Sequence, residues 1–97
     1  MTTPKHFHLG DILSVTTGRL VSPTKFPGVR KIMEFMVGHP IFNHSLPLYT
    51  EQLSTTLLNQ HPQLRTVDTF GISEDTWEQW LDRQVALYGE TLPVTPI

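Results

Sequence analysis

Proline and glycine interrupt this chain at short intervals, and they limit it to short elements. Eight prolines and six glycines divide its 97 residues, and a proline inside a helix or strand removes a backbone hydrogen bond. No apolar run reaches the roughly 20 residues that cross a bilayer, so we expect no membrane-spanning segment. The pieces between the interruptions show no internal repeat.

Four of these pieces have apolar residues at the spacing of an amphipathic helix. We predict helices over 10–17, from 27 to the glycine at 38, over 47–60, and from the serine at 73 to the glycine at 89. Prolines suit the first turn of the second and third helices, and glycines suit the ends of the first, second and fourth. The sequence therefore predicts a mainly α fold, a compact bundle of about four helices with irregular or short extended connectors, in one domain over 1–97.

The fourth predicted helix carries the clearest start signal. Ser73 is a favourable N-cap, and Ile72 before it can pack on Trp77 as a hydrophobic staple. Glu74 and Asp75 suit the positive end of the helix dipole. We expect the two tryptophans of this helix to supply much of the core.

Two other stretches are predicted to be non-helical. Leu20-Val21 is followed at once by Ser22-Pro23, which indicates an irregular connector. The tail over 91–97 contains two prolines, and we expect it to lie extended across the bundle.

Size and composition favour a binding protein over an enzyme. Folding buries only somewhat more than about 60% of the surface of a chain this short, which leaves little room for a deep substrate cleft. The absence of cysteine excludes disulfides, thiolate nucleophiles and zinc–thiolate sites. The first eight residues lack the apolar stretch of a secretory signal, so we expect a cytoplasmic protein.

Charge is distributed unevenly along the chain. The formal net charge of −2 argues against general nucleic-acid binding, which needs a surplus of lysine and arginine. Residues 1–31 hold five basic residues against the single acid Asp11, whereas residues 32–97 hold two basic residues against eight acids. The basic stretch from Arg19 to Lys31 could contact an acidic protein or a second copy, although a solvated face is the simpler interpretation.

Histidines come closest to a metal motif. His6 and His8 could share an ion on one face of an extended segment, and Asp11 could add a carboxylate. A stable site needs three or four ligands and hydrogen-bonded support. Loop and cap histidines are the simpler interpretation, and we predict neither a metal ion nor a cofactor.

The catalytic and nucleic-acid motifs are weaker still. His44 and Ser45 could form a hydrolase triad with Asp68, but the chain has no nucleophile elbow, phosphate loop or dinucleotide fingerprint. The connector over 38–46 is too long for a helix-turn-helix, and the third helix offers no Lys or Arg to bases. We therefore expect a non-enzymatic protein that does not bind nucleic acid directly.

An acidic face on the fourth helix is the strongest functional signal. Glu74, Glu78 and Asp82 are four residues apart, so each carboxylate is displaced by about 6 Å along one helix face. This is close to the phosphate spacing of a nucleic-acid strand, and such a stripe can occupy a basic channel. An ordinary solvated face is the alternative. Six acids are the candidate partner contacts: Glu74, Asp75, Glu78, Asp82, Asp68 and Glu90.

Part of the sequence resembles a known group of proteins. The stretch HFHLGDILSVTTGRLVSP, His6 to Pro23, resembles the opening of a family of small, largely uncharacterised phage and prophage proteins. The similarity continues through FMVG, FxHxLP, HPQL and YGETLP and covers most of the chain. It departs at His39, where the pattern has an acidic residue. The resemblance brings no catalytic residue with it.

The resemblance implies a phage protein, and small acidic phage proteins include inhibitors of bacterial defence. We therefore hypothesise an anti-CRISPR protein that binds a type I surveillance complex, similar to type I-F, and excludes target DNA with its acidic face. The alternative is a phage regulator that binds a host transcription or replication protein. Its predicted contact is an apolar surface formed by Met33, Met36, Phe35 and Phe42.

Overall fold

The computed structural model describes residues 3–97, with all side chains except that of Asn43. In chain order its elements are β1 (Lys5–His8), α1 (Leu9–Thr17), α2 (Phe26–Val37), α3 (Leu46–Gln60), α4 (Trp77–Tyr88) and β2 (Thr91–Val94). Two 3₁₀ turns, Asn43–Ser45 and Pro62–Thr66, flank α3. The mainly α prediction is confirmed, and a two-stranded sheet is added to it. None of the helices described is long and apolar enough to cross a membrane.

The first three helices begin and end within one residue of their predicted limits. Gly18 and Gly38 follow α1 and α2 with left-handed φ angles of 74° and 82°. A proline lies in the first turn of both α2 and α3. These positions suit the two residue types because glycine tolerates positive φ and a helix does not use its first N–H groups.

The predicted start of the fourth helix is wrong. Its N-cap is Thr76, and Ser73 lies in a separate turn, where its carbonyl oxygen accepts from the N–H groups of Thr76 at 3.2 Å and Trp77 at 3.0 Å. The hydroxyl of Ser73 bonds that of Thr76 at 3.0 Å instead of capping the helix. Glu74 and Asp75 therefore belong to the turn and not to α4.

The extended tail is confirmed, but its pairing was not predicted. β2 pairs with β1 in antiparallel orientation, with Phe7 opposite Leu92. The side-chain amide of Gln60 bonds both the N–H and the carbonyl of Thr95, at 2.9 and 2.8 Å. His61 Nε2 lies 2.5 Å from the Pro93 carbonyl oxygen. The end of α3 thus holds the tail against the bundle.

Helix α1 lies at the centre of the core. Every residue from Leu9 to Val15 is buried, and the helix contacts β1 and all three other helices. A helix that is buried on every side has to be surrounded by other elements. Of the two tryptophans only Trp80 is fully buried, and its indole N–H donates to the Asp68 carbonyl at 2.9 Å; Trp77 is half-buried.

Two polar side chains of α1 are buried with it, and the loop over 18–25 satisfies them. The hydroxyl of Ser14 donates to the Gly10 carbonyl at 2.7 Å and accepts from the Val21 N–H at 2.9 Å. The hydroxyl of Ser22, which is fully buried, donates to the carboxylate of Asp11. Because an unpaired buried polar group is costly, these bonds fix the path of the loop along α1.

Gly28 in the first turn of α2 packs against this polar cluster. A Cβ atom at this position would lie closer than 3.0 Å to side-chain oxygens of Asp11, Ser22 and Thr24. The close approach of α2 to α1 therefore requires glycine here.

We predict that Gly28→Ala destabilises the protein by about 1–3 kcal/mol, because the added methyl group displaces the hydrogen-bonded oxygens. Helix propensity alone predicts the opposite sign, a gain of about 1 kcal/mol for alanine over glycine. Urea unfolding measures the difference. A variant more stable than the parent protein would show that the cluster does not constrain this contact.

Glu34 closes the loop that follows α2. Its Oε2 accepts from the Ile41 N–H at 2.7 Å and from Arg30 Nε at 3.4 Å. The hydrogen bond from Ile41 lowers the pKa of Glu34 most; partial burial opposes it, and the hydrogen bond and charge of Arg30 and the charge of His39 lower the pKa further. The fold therefore favours the ionised carboxylate.

The lowered pKa predicts a pH-dependent contribution to stability. Glu34 stabilises the fold above pH 4.5, the ordinary pKa of its side chain, and this contribution disappears as the pH falls through the lower folded value. We expect Glu34→Gln to lower the melting temperature at pH 7, with the gap to the parent protein narrowing in acid. Glu51→Gln on the exposed face of α3 is the control. A gap that stays constant from pH 7 to pH 3 would contradict this role.

Candidate partner-binding site

Three of the six predicted acids converge on one groove. Glu78 and Asp82 lie one turn apart on α4, and Glu90 follows the end of that helix. All three are exposed, and all three line a groove of about 280 Å³. We call this the acidic groove.

The remaining walls of the acidic groove are mostly apolar: His8, Pro23, Trp77, Leu81 and Val85 complete its lining. His8 is fixed in place because its Nδ1 accepts from the Gly10 N–H at 2.9 Å and caps α1. In the neutral ring its Nε2 then carries the proton. Apolar walls beside carboxylates match a lysine or arginine side chain, which has an aliphatic stem and a cationic head.

The carboxylates of the acidic groove have no internal counter-ions. Within residues 3–97, neither Glu78, Asp82 nor Glu90 lies within 4.0 Å of a basic group. Their negative charges are therefore available to a partner.

The other three predicted acids lie elsewhere. Glu74 lines a neighbouring groove together with Arg19 and Lys25. Asp75 is exposed on the turn before α4, and the Asp68 carboxylate accepts from a loop N–H at 2.9 Å. The predicted stripe of three carboxylates on one helix face is wrong at Glu74, because α4 begins only at residue 77.

A basic groove adjoins the acidic one. Arg19 and Lys25 line it, and the ammonium group of Lys25 lies 4.6 Å from the centroid of the Trp77 ring. Trp77 lines both grooves. This part of the surface therefore carries both signs of charge side by side, which the total charge of the chain did not reveal.

The described histidines do not cluster. His6 is exposed on β1, and His44 stacks on Phe42 with 5.8 Å between ring centroids. Over 3–97 no group of three or more histidine, aspartate or glutamate side chains is placed to hold a metal ion. No hydrogen bond described over 3–97 joins His44 or Ser45 to Asp68, whose carboxylate accepts from the Phe70 N–H at 2.9 Å.

The predicted apolar contact surface is wrong for its two methionines, and Phe35 is partly buried. Met33 and Met36 are buried, and the ring of Phe35 packs on that of Phe7 with centroids 5.3 Å apart. Only Phe42 is exposed, at 73%. The two methionines lie on the inward face of α2, where their apolar side chains fill the space beside α1.

A different exposed apolar surface was missed. Leu20 and Phe26, which are 39% and 64% exposed, line a cleft beside α2. Phe26 is the first residue of α2 and lies three and seven positions before Val29 and Met33, so it continues their helix face. This continuation of the apolar spacing past Pro27 is the signal that could have identified it.

Comparison with known proteins gives one match. A family model described as a domain of unknown function, DUF7736, matches residues 7–67. No curated protein and no solved structure matches the chain. The matched segment contains α1, α2 and α3, whereas the three carboxylates of the acidic groove lie beyond it.

Proposed function

The chain belongs to the DUF7736 family, a family without an assigned activity, and from that starting point we propose that it is a non-enzymatic inhibitor that binds a cationic surface. The observation that supports this most is the convergence of Glu78, Asp82 and Glu90 on one groove without internal counter-ions. A groove of this kind holds basic side chains of a partner protein.

The physical basis of the proposal is charge complementarity over a short range. Close charge pairs across a protein interface couple by roughly 1.5–7 kcal/mol. The apolar walls supplied by Trp77, Leu81 and Val85 exclude water from the stem of an entering lysine or arginine. Three such contacts give a specific patch, although they do not reproduce a long polynucleotide.

The partner we propose is the DNA-binding surface of a type I CRISPR surveillance complex. Such a surface presents lysine and arginine residues to phosphates, and a protein seated on it excludes target DNA. The resemblance of the His6–Pro23 stretch to small phage proteins supports this choice of partner. The cations beside the acidic groove limit the contact, because Lys25 repels any basic group that extends past Trp77.

Neutralising the acidic groove should remove inhibition. In a titration of labelled target DNA with a type I-F complex, we expect the wild-type protein to raise the apparent Kd for DNA. The triple variant Glu78→Gln/Asp82→Asn/Glu90→Gln should require at least about tenfold more protein for the same effect, since tenfold corresponds to about 1.4 kcal/mol. Fluorescence anisotropy of the DNA measures the inhibition by the wild-type protein and by the triple variant.

The matched control carries the same change in charge at other exposed acids, Glu51→Gln/Glu74→Gln/Asp75→Asn. It should inhibit within about twofold of wild type, and inhibition by both proteins should weaken as salt rises. Equal inhibition by the two triple variants would rule out the acidic groove as the contact. An unchanged DNA affinity in the presence of wild-type protein would rule out this partner.

A further inference from the structure

An apolar cleft of about 410 Å³ lies on the surface between α1, α2 and the start of α3. Its apolar lining includes Leu20, Phe26, Val29, Met33, Leu46 and Pro47. Phe26 remains 64% exposed although it borders this cleft. Aromatic surface left in water beside a cleft is a common mark of a binding site.

One basic residue lines the apolar cleft, and a second lies in the adjoining basic groove. Arg19 lines the cleft itself, and together with Leu20 it also lines the basic groove that contains Lys25. In the described residues neither Arg19 nor Lys25 has a carboxylate within 4.0 Å. Glu74 lies in the same basic groove, so two cations face a single acid there.

The backbone at Lys25 is unusual for a lysine. With φ at 62° and ψ at −144°, it is the one non-glycine residue at positive φ among those described. This conformation costs a non-glycine residue of order 1–3 kcal/mol. Glycine would avoid the cost, but only a side chain such as lysine can place an ammonium group over Trp77 at this edge of the basic groove.

We propose that the apolar cleft binds a short acidic segment of a partner protein. One aromatic or large aliphatic side chain of that segment enters the cleft beside Phe26. Its flanking aspartate or glutamate residues contact Arg19 and Lys25. The proposal follows from the pairing of an apolar cleft with uncompensated cations, because such a surface complements a segment in which an apolar residue is bordered by carboxylates.

The linings of the apolar cleft and the acidic groove share no residue, and the charges beside them have opposite signs. All the residues named as its lining fall within the family match over 7–67, whereas the acidic groove depends on residues after 77. The two sites therefore require partner segments of opposite charge. A negative result at one site leaves the proposal for the other site standing.

Selection from a random twelve-residue peptide library on the full-length protein provides the test. We expect enriched peptides to share a large apolar residue with at least two acidic neighbours. The most enriched peptide is then synthesised with a fluorescent label and titrated with wild-type protein and variants. Its affinity should fall at least about tenfold for Phe26→Glu and for Arg19→Glu/Lys25→Glu.

The chain offers matched controls for both variants. Phe70 is an aromatic residue 89% exposed on another loop, so Phe70→Glu should leave the affinity within about twofold. Lys5→Glu/Lys31→Glu makes the same change in charge at other exposed positions. Neutralising the acidic groove with Glu78→Gln/Asp82→Asn/Glu90→Gln should also leave peptide binding intact, which separates this site from the proposed inhibitory one. Melting temperatures verify that every variant is folded.

Three results would overturn the proposal. Enriched peptides could be neutral or basic, or binding could survive Phe26→Glu unchanged. Sedimentation velocity could instead show that the wild-type protein dimerises and that Phe26→Glu makes it monomeric. That last result would assign the cleft to a second copy of the chain.

Discussion

The burial of α1 on every side is the constraint from which the rest of the structure follows. Seven of the nine residues of α1, Leu9 to Val15, are buried at the centre of this small domain, so its buried polar side chains need partners inside the protein. The loop after it supplies them, through the Val21 N–H to Ser14 and the Ser22 hydroxyl to Asp11. These bonds determine where the loop runs, and α2 approaches closely enough that glycine is needed at 28.

The same loop forms the walls of the surface sites. Leu20 borders the apolar cleft, Pro23 lines the acidic groove and Lys25 lines the basic one. Stability and binding are therefore connected through one short segment: buried hydrogen bonds at its inner side hold its outer side chains in position. Trp77 has the corresponding role on α4, since it lines both charged grooves and holds the ammonium group of Lys25 over its ring.

Local signals predicted the first three helices well because proline and glycine act within a single turn. Proline fixes its own φ near the starts of α2 and α3, and the glycine at 38 tolerates the left-handed φ that ends α2. The predicted start of α4 was wrong because Ser73 is a favourable N-cap only when its local sequence is considered alone. In the fold its hydroxyl instead bonds Thr76, whose own hydroxyl also bonds the Gly71 carbonyl at 2.9 Å.

The pairing of β1 with β2 could not be predicted from the sequence for a related reason. β1 has only four residues, and its partner lies more than eighty positions away and contains Pro93. No periodicity within either strand encodes that contact. The acidic groove was predicted in part: the spacing of Glu78 and Asp82 on a helix was readable, whereas the convergence of Glu90 depends on the turn that leads into β2.

The most direct measurement is a structure of this protein bound to a type I surveillance complex. If the acidic groove is the contact, Glu78, Asp82 and Glu90 will face lysine or arginine residues that otherwise bind target DNA. A complex in which α4 is in solvent, or in which DNA and this protein are bound side by side, would contradict the proposed inhibition.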